Sequence, residues 1–211
     1  FYNRESSVRF ERGSILGNLA RAVGGGVASQ WGAFDISKVR VIANTAPDGG
    51  GMHSAGGSLS LVNCLLSQND LLSIDSDLRM TNATLFGVNF VNTRSAPGPE
   101  AVILNSILWE TTLEGAPPKA TYSLVPGGLE GQGNLDGDPL LVNPQKGDFR
   151  LSAESPCIDS GNSEGAPADD LQGTMRPQFE GVDIGAFEFT STQDADRDGM
   201  PDALEAEQGL D

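Results

Sequence analysis

Apolar and polar residues alternate in short bursts along the first half of the chain. Val8-Arg9-Phe10, Val39-Arg40-Val41 and Leu59-Ser60-Leu61 each place two apolar side chains on one side of an extended backbone and a polar one on the other. Leu78-Arg79-Met80 and Ala101-Val102-Ile103-Leu104 continue the pattern, and the Gly, Asn and Asp residues between bursts mark turns. The prediction is a series of short, half-buried strands.

The bursts repeat. Asn18, Asn44 and Asn69 are separated by 26 and 25 residues, and Gly24-Gly25-Gly26 recurs 25 residues later as Gly49-Gly50-Gly51. Leu59-Ser60-Leu61-Val62-Asn63 is echoed 19 residues on by Leu78-Arg79-Met80-Thr81-Asn82, and Asn105 follows after 23 more. A unit this short cannot bury its own apolar face, but it can form one coil of a solenoid whose neighbours bury it. Ile, Leu, Val and the small Cys64 would stack inside, and Asn side chains at equivalent corners would bond from coil to coil as an amide ladder. The triple glycines read as turns needing positive φ, or as points of close coil-to-coil approach. No predicted helix follows them, which argues against a phosphate cradle.

The stretch Gly49-Gly50-Gly51-Met52-His53-Ser54-Ala55-Gly56-Gly57-Ser58-Leu59-Ser60-Leu61-Val62-Asn63-Cys64 is close to the repeat of polymorphic outer-membrane and other bacterial surface β-helices. Over residues 5–115 the chain resembles the right-handed parallel β-helix, or pectate-lyase-like, superfamily. The resemblance implies an all-β fold, a right-handed parallel β-helix solenoid, with its coils over residues 1–133. It also implies a secreted or cell-surface bacterial protein. The same scaffold serves lyases, hydrolases, adhesins and passive stalks, so it does not choose among them.

Composition fits this picture. The 27 Gly and 12 Pro among 211 residues disfavour helix interiors, and no apolar run is long enough to cross a bilayer as a helix. The formal charge is −16. Residues 1–44 hold six basic and three acidic side chains, hence +3, which leaves −19 for the remainder. Such an acidic surface excludes nucleic acid and anionic lipid as partners, suits divalent cations, and keeps a protein soluble with no ligand at all. Cys64 and Cys157 match no metal spacing and sit in apolar contexts, so both read as small buried hydrophobes; a disulfide between them is open but not required. A chain opening Phe1-Tyr2-Asn3 reads as a piece of a longer protein.

Residues 116–135, with Pro117-Pro118, Gly127-Gly128 and Gly131-Gln132-Gly133, read as a loop region over the last coils. Residues 134–189 carry Asp138-Pro139, Ser155-Pro156-Cys157-Ile158-Asp159, Asp169-Asp170-Leu171, Arg176-Pro177 and Gly181-Val182-Asp183-Ile184-Gly185-Ala186-Phe187-Glu188. This series looks like the C-terminal segment of many secreted bacterial β-helix proteins, which implies a last coil plus an irregular cap. An open coil end invites strand addition, and irregular chain over it would block that. Asp159, Asp170 and Asp183 are expected to be satisfied by turn N–H groups or by Arg176.

The segment 190–211 reads as a linker followed by an EF-hand-like calcium loop and a short helix. Asp194, Asp196 and Asp198, then Gly199, Met200, Asp202 and Glu205, match the twelve-residue calcium-loop pattern. Three carboxylates on one side of a tight loop, the Met200 carbonyl, Asp202 directly or through water, and a closing Glu205 form an oxygen shell that selects Ca2+ over Zn2+. Pro201 suits the first turn of the exit helix, with Gly209 as its stop. The segment looks like the calcium repeats of thrombospondin type 3 or dockerin-like modules; the plainer alternative is a solvated acidic tail.

Catalytic candidates are Asp48, His53, Asp70, Asp75, Asp77 and Arg79. Lyases of the resembled superfamily pair Ca2+-holding acids with an Arg or Lys base, and its hydrolases use two or three aspartates. His53 is the only histidine, and nothing around it supplies a Ser-His-Asp or HExxH arrangement. A solvated loop is the competing reading of these residues. The expectation is therefore a structural or adhesive surface module that contacts a polysaccharide, a cell-surface glycan or neighbouring protein modules. The alternative is a fragment of a polysaccharide lyase or glycoside hydrolase.

Overall fold

The alternating bursts become strands in the computed structural model, which describes residues 1–69, 71–93 and 101–190. In chain order they are β1 (Tyr2–Arg4), β2 (Ser7–Leu16), β3 (Val27–Ile42), β4 (Met52–Val62), β5 (Leu65–Ser67), β6 (Leu71–Thr81), β7 (Thr84–Phe86), β8 (Asn89–Asn92), β9 (Val102–Leu104), β10 (Ile107–Trp109), β11 (Thr112–Gly115), β12 (Lys119–Thr121), β13 (Leu141–Asn143) and β14 (Asp148–Leu151). The first twelve form one sheet in which every pairing is parallel, and β13 and β14 form a separate antiparallel pair. The chain is a parallel β-solenoid.

Each coil has three faces. The first is made by β1, the starts of β3, β4 and β6, then β8 and β11. The second takes the start of β2, the middle of β3, the ends of β4 and β6, then β9 and β12. The third takes the ends of β2 and β3, then β5, β7 and β10. Inward residues stack in columns. Ile15, Val41, Leu66, Leu85 and Leu108 stack on the third face, and Phe10, Ile36, Leu61, Met80, Ile103 and Ala120 on the second. All but the half-buried Phe10 are buried in one continuous core with Cys64. Cys64 and Cys157 are both unpaired thiols, and burial pushes each up to about 12.

Corners are made by single residues with left-handed backbone. Between the second and third faces these are Arg12, Lys38, Asn63, Asn82, Asn105 and Tyr122; between the third and first, Gly17, Ala43, Gln68, Gly87 and Glu110; between the first and second, Glu5, Trp31 and the pair Gly56-Gly57. One left-handed residue redirects the strand without breaking the coil-to-coil ladder, so β3 runs through two corners.

The repeating asparagines divide into two sets. Asn18, Asn44 and Asn69 follow the third-to-first corner and form the expected ladder: the Asn18 amide donates to Asn44 Oδ1 (2.8 Å), and the Asn44 amide to Asn69 Oδ1 (3.2 Å). Gly26 and Gly51 run close beside it, where a Cβ would meet Asn44 or Asn69 within about 3 Å. Asn63, Asn82 and Asn105 belong to a different corner, although the sequence reads as one continuing pattern. Alternation has the same period on every face, so it does not tell one corner from another.

The C-terminal segment does two jobs. Residues 126–135 close the end of the stack: Tyr122 N donates to Gln132 O, Val125 N to Leu135 O, and Leu135 N to Ser123 O. Residues 136–189, most of the segment 134–189 expected as a last coil and cap, form a strap folded back along the third face. The reason lies in that face. Leu65-Leu66, Leu85-Phe86 and Ile107-Leu108-Trp109 are apolar on both sides of the sheet and need cover outside as well as inside. Phe149, Leu171, Ala186 and Phe187 supply it over Leu65 and Phe86, and Leu151, Cys157 and Ile184 over Ile107.

Candidate functional site

The second face is a long face outside the strap packing. Inward positions there are apolar, so the alternating outward positions present a row of polar groups. Ser7, Ala33, Ser58 and Asp77 lie in successive layers, and beside them Arg9, Asp35, Ser60, Arg79, Val102 and Lys119. Two clefts run into each other along this row. One of ≈ 430 Å³ is lined by Glu5, Ser6, Ser7, Trp31, Gly57, Ser58 and Asp77. The other, of ≈ 400 Å³, is lined by Asp35, Ser58, Ser60, Asp77, Arg79 and Val102. They share Ser58 and Asp77 and so adjoin as a shallow trough across the coils.

Trp31 stands at the edge of this trough, on the first-to-second corner, and is 69% exposed with a φ of 58°. Its indole lies over Gly56, where a Cβ would come within 2.4 Å of the ring. At Gly57 a Cβ would come within 2.1 Å of the Gly32 carbonyl oxygen, so both glycines are required by close approach as well as by positive φ. The wall beneath the indole therefore carries no side chain, and one ring face is seated while the other meets solvent.

The catalytic candidates are only partly brought together. Asp77 and Arg79 share the trough, with Asp35 across from them. Asp48 and His53 lie away from it, at the start of the first face. His53 Nδ1 is 3.2 Å from Asp48 Oδ2, an ion-pair distance without hydrogen-bond geometry. Asp75 is exposed on the first face, across the corner from Asp77. Asp70 lies outside the described residues, as does the whole calcium-loop pattern of Asp194, Asp196, Asp198, Met200, Asp202 and Glu205. Among the described residues no three His, Cys, Asp or Glu side chains gather to hold a metal. No sequence motif joins Trp31, Asp35, Ser58 and Ser60 into a site. The legible signal was a Trp set 25 residues before a Gly-Gly pair, one coil repeat away.

The strongest electrostatic cluster serves the strap. Arg176, Asp170, Asp183 and Glu188 are all buried. Arg176 pairs with Glu188 and donates to the carbonyls of Asp183 and Gly185. Asp170 accepts from the N–H groups of Gln172, Gly173 and Thr174 through one oxygen and from Glu188 N through the other. Asp159 accepts from Gly181 N. Burial pushes the Asp183 carboxyl up to about 7 against the N–H groups of Asp159 and Phe189, which hold it down. The second asparagine set ties this strap to the coils: Asn63 donates to Asp169 O, Asn82 to Asp183 O, and Asn105 to Asn162 O, while Lys38 pairs with the Asp169 side chain. Asn82 and Thr84 of the Asn82-Ala83-Thr84 sequon are fully buried, which closes that sequon to glycosylation.

A third cleft, of ≈ 480 Å³, lies where the β13–β14 hairpin crosses the third face. Arg150 there is held at both ends by Asp148, and Leu65, Phe149 and Phe187 belong to the strap packing. It is a seam of the strap.

No family model matches the chain, and neither a curated protein nor a solved structure shows significant similarity to it. Among the described residues no helix is long and apolar enough to cross a membrane.

Proposed function

We propose that this chain is a secreted or cell-surface bacterial module whose second face contacts carbohydrate, with the solenoid as a rigid spacer. The observation that carries the reading is Trp31, exposed and seated on Gly56 at the edge of a polar trough. An indole with one open face offers apolar contact beside serine hydroxyls and carboxylates that hydrogen-bond sugar hydroxyls. Parallel crossovers wind right-handed in nearly all proteins. Together with the stacked coils, this supports the reading that the chain is a right-handed β-helix of the pectate-lyase-like kind. The Asp194–Glu205 pattern supports a Ca2+ loop of the thrombospondin type 3 or dockerin-like kind behind it, holding the cation through Asp194, Asp196, Asp198, Met200, Asp202 and Glu205. Retardation of the full chain in gels containing immobilised polysaccharides tests the carbohydrate reading; mobility unchanged by every polysaccharide would refute it.

One observation favours a second reading, a polysaccharide lyase or glycoside hydrolase: Asp35, Asp77 and Arg79 converge in one cleft. Incubation with polyuronates while following absorbance of unsaturated products, together with a reducing-end assay on neutral polysaccharides, decides between binding and turnover.

A further inference from the structure

We infer that the trough takes an uncharged glycan chain in extended form, lying along the stacking axis with one sugar ring on Trp31; this rests on the carbohydrate reading above. Three observations converge on it.

The first is length. The trough runs through the layers of Ser7, Ala33, Ser58 and Asp77 and on to Val102, which pairs with Arg79. Five layers at the spacing of adjacent strands span about 19 Å, more than a single sugar fills. The ligand that matches is a chain.

The second is Trp31 itself. A bulky residue with positive φ is strained, and the corner does not require an aromatic. The coil before it has Glu5 at the same corner, and the coil after it has Gly56. Trp31 also keeps 69% of its surface in water. Its seat on Gly56 holds the ring in place while leaving the outer face clear. A pre-positioned flat apolar surface at the rim of a polar groove fits the C–H face of a sugar ring, and little side-chain freedom is lost on binding.

The third is charge. The trough and its row set Glu5, Asp35 and Asp77 among Arg9, Arg79 and Lys119, on a chain of net charge −16. Charges of both signs alternate along the row, so it offers a polyuronate or sulfated glycan no continuous basic track. Neutral hydroxyls instead meet carboxylate acceptors and the Ser58 and Ser60 hydroxyls.

The test uses the full chain with cello-, xylo- and manno-oligosaccharides of increasing length, and with polygalacturonate, followed by tryptophan fluorescence and calorimetry. The expected result is saturable binding of a neutral series. Its affinity should rise with chain length and then level off, with little dependence on salt. Trp31→Ala should lose about tenfold or more in affinity, Asp77→Asn should bind several-fold more weakly, and Trp31→Phe should keep most of the binding. Unchanged circular dichroism and melting of the variants separate a lost contact from a lost fold. Binding of polygalacturonate with neutral sugars silent would overturn this inference and leave the carbohydrate reading standing. Neutral binding that Trp31→Ala does not weaken would overturn the placement on Trp31. Silence toward every glycan would overturn the carbohydrate reading and this inference together.

Discussion

Asn44 shows how one residue type holds the coils in register. Its backbone N–H and its side-chain amide both donate to Asn69 Oδ1, and its Oδ1 accepts both N–H groups of Asn18. Its amide also reaches the carbonyls of Ile15 and Ile42. Every polar atom of a fully buried side chain is thus used. Asn44→Ala keeps the backbone bond to Asn69 Oδ1 but removes every side-chain bond, including those to Asn18 and to the buried Ile15 carbonyl, so a loss of about 1–3 kcal/mol in unfolding free energy is expected. Denaturant unfolding measures it, and a variant as stable as the parent would show that the ladder is ornamental. At another corner Asn105 also donates to Asn82 Oδ1 from coil to coil, but Asn63, Asn82 and Asn105 all donate to the strap as well. That division was not legible in the sequence. Two corners with the same residue and nearly the same spacing look like one ladder until the pairing register is known.

At the scale of elements, the strap was legible as a segment but not as a side cover. Its turns of Pro, Gly and Asp announced irregular chain, and Asp159, Asp170, Asp183 and Arg176 find the partners expected of them. The sign that it covers a side lay elsewhere, in strands such as Ile107–Trp109 that are apolar at every position and cannot face water. The strap carries its own pH dependence. Asp183 sits at about 7 in the folded chain against an ordinary value of 3.8, and burial raises Glu188 as well. The folded state therefore holds more protons than the unfolded state between these values. Its stability is fully present below the ordinary carboxylate range and declines as pH rises through about 7. Thermal unfolding should give a lower midpoint at about pH 8 than at about pH 5, and Asp183→Asn should flatten that slope. A midpoint that rises across this range would contradict the burial account. The calcium pattern makes its own prediction: calorimetry should show Ca2+ binding that Asp196→Ala and Glu205→Ala each remove, and an unmutated chain with no heat of binding would leave only a solvated acidic tail.

For the whole molecule, the parallel stack was legible from the repeat alone, because a 19–26-residue unit with short alternating strands has no other way to bury its apolar side. The functional face was less legible. The acids, the single histidine and Arg79 point both to Asp48 and His53, away from the trough, and to Asp77 and Arg79 within it. The trough is a property of columns: outward residues from five layers come together only when coils of unequal length are placed in register, and the one-residue shift between Ala55 and Ser58 sets which of them face each other. Trp31 acquires its meaning only when Gly56, one coil on, is seen to lie beneath it.

The most direct measurement of the central claim is amide chemical-shift mapping of the full chain during titration with a neutral oligosaccharide. The expected shifts form one stripe through Ser7, Trp31, Asp35, Ser58, Asp77 and Arg79, with the Asn44 ladder and the Arg176–Glu188 cluster unmoved. Shifts centred on the strap or on His53, or an unchanged spectrum at saturating sugar, would contradict it.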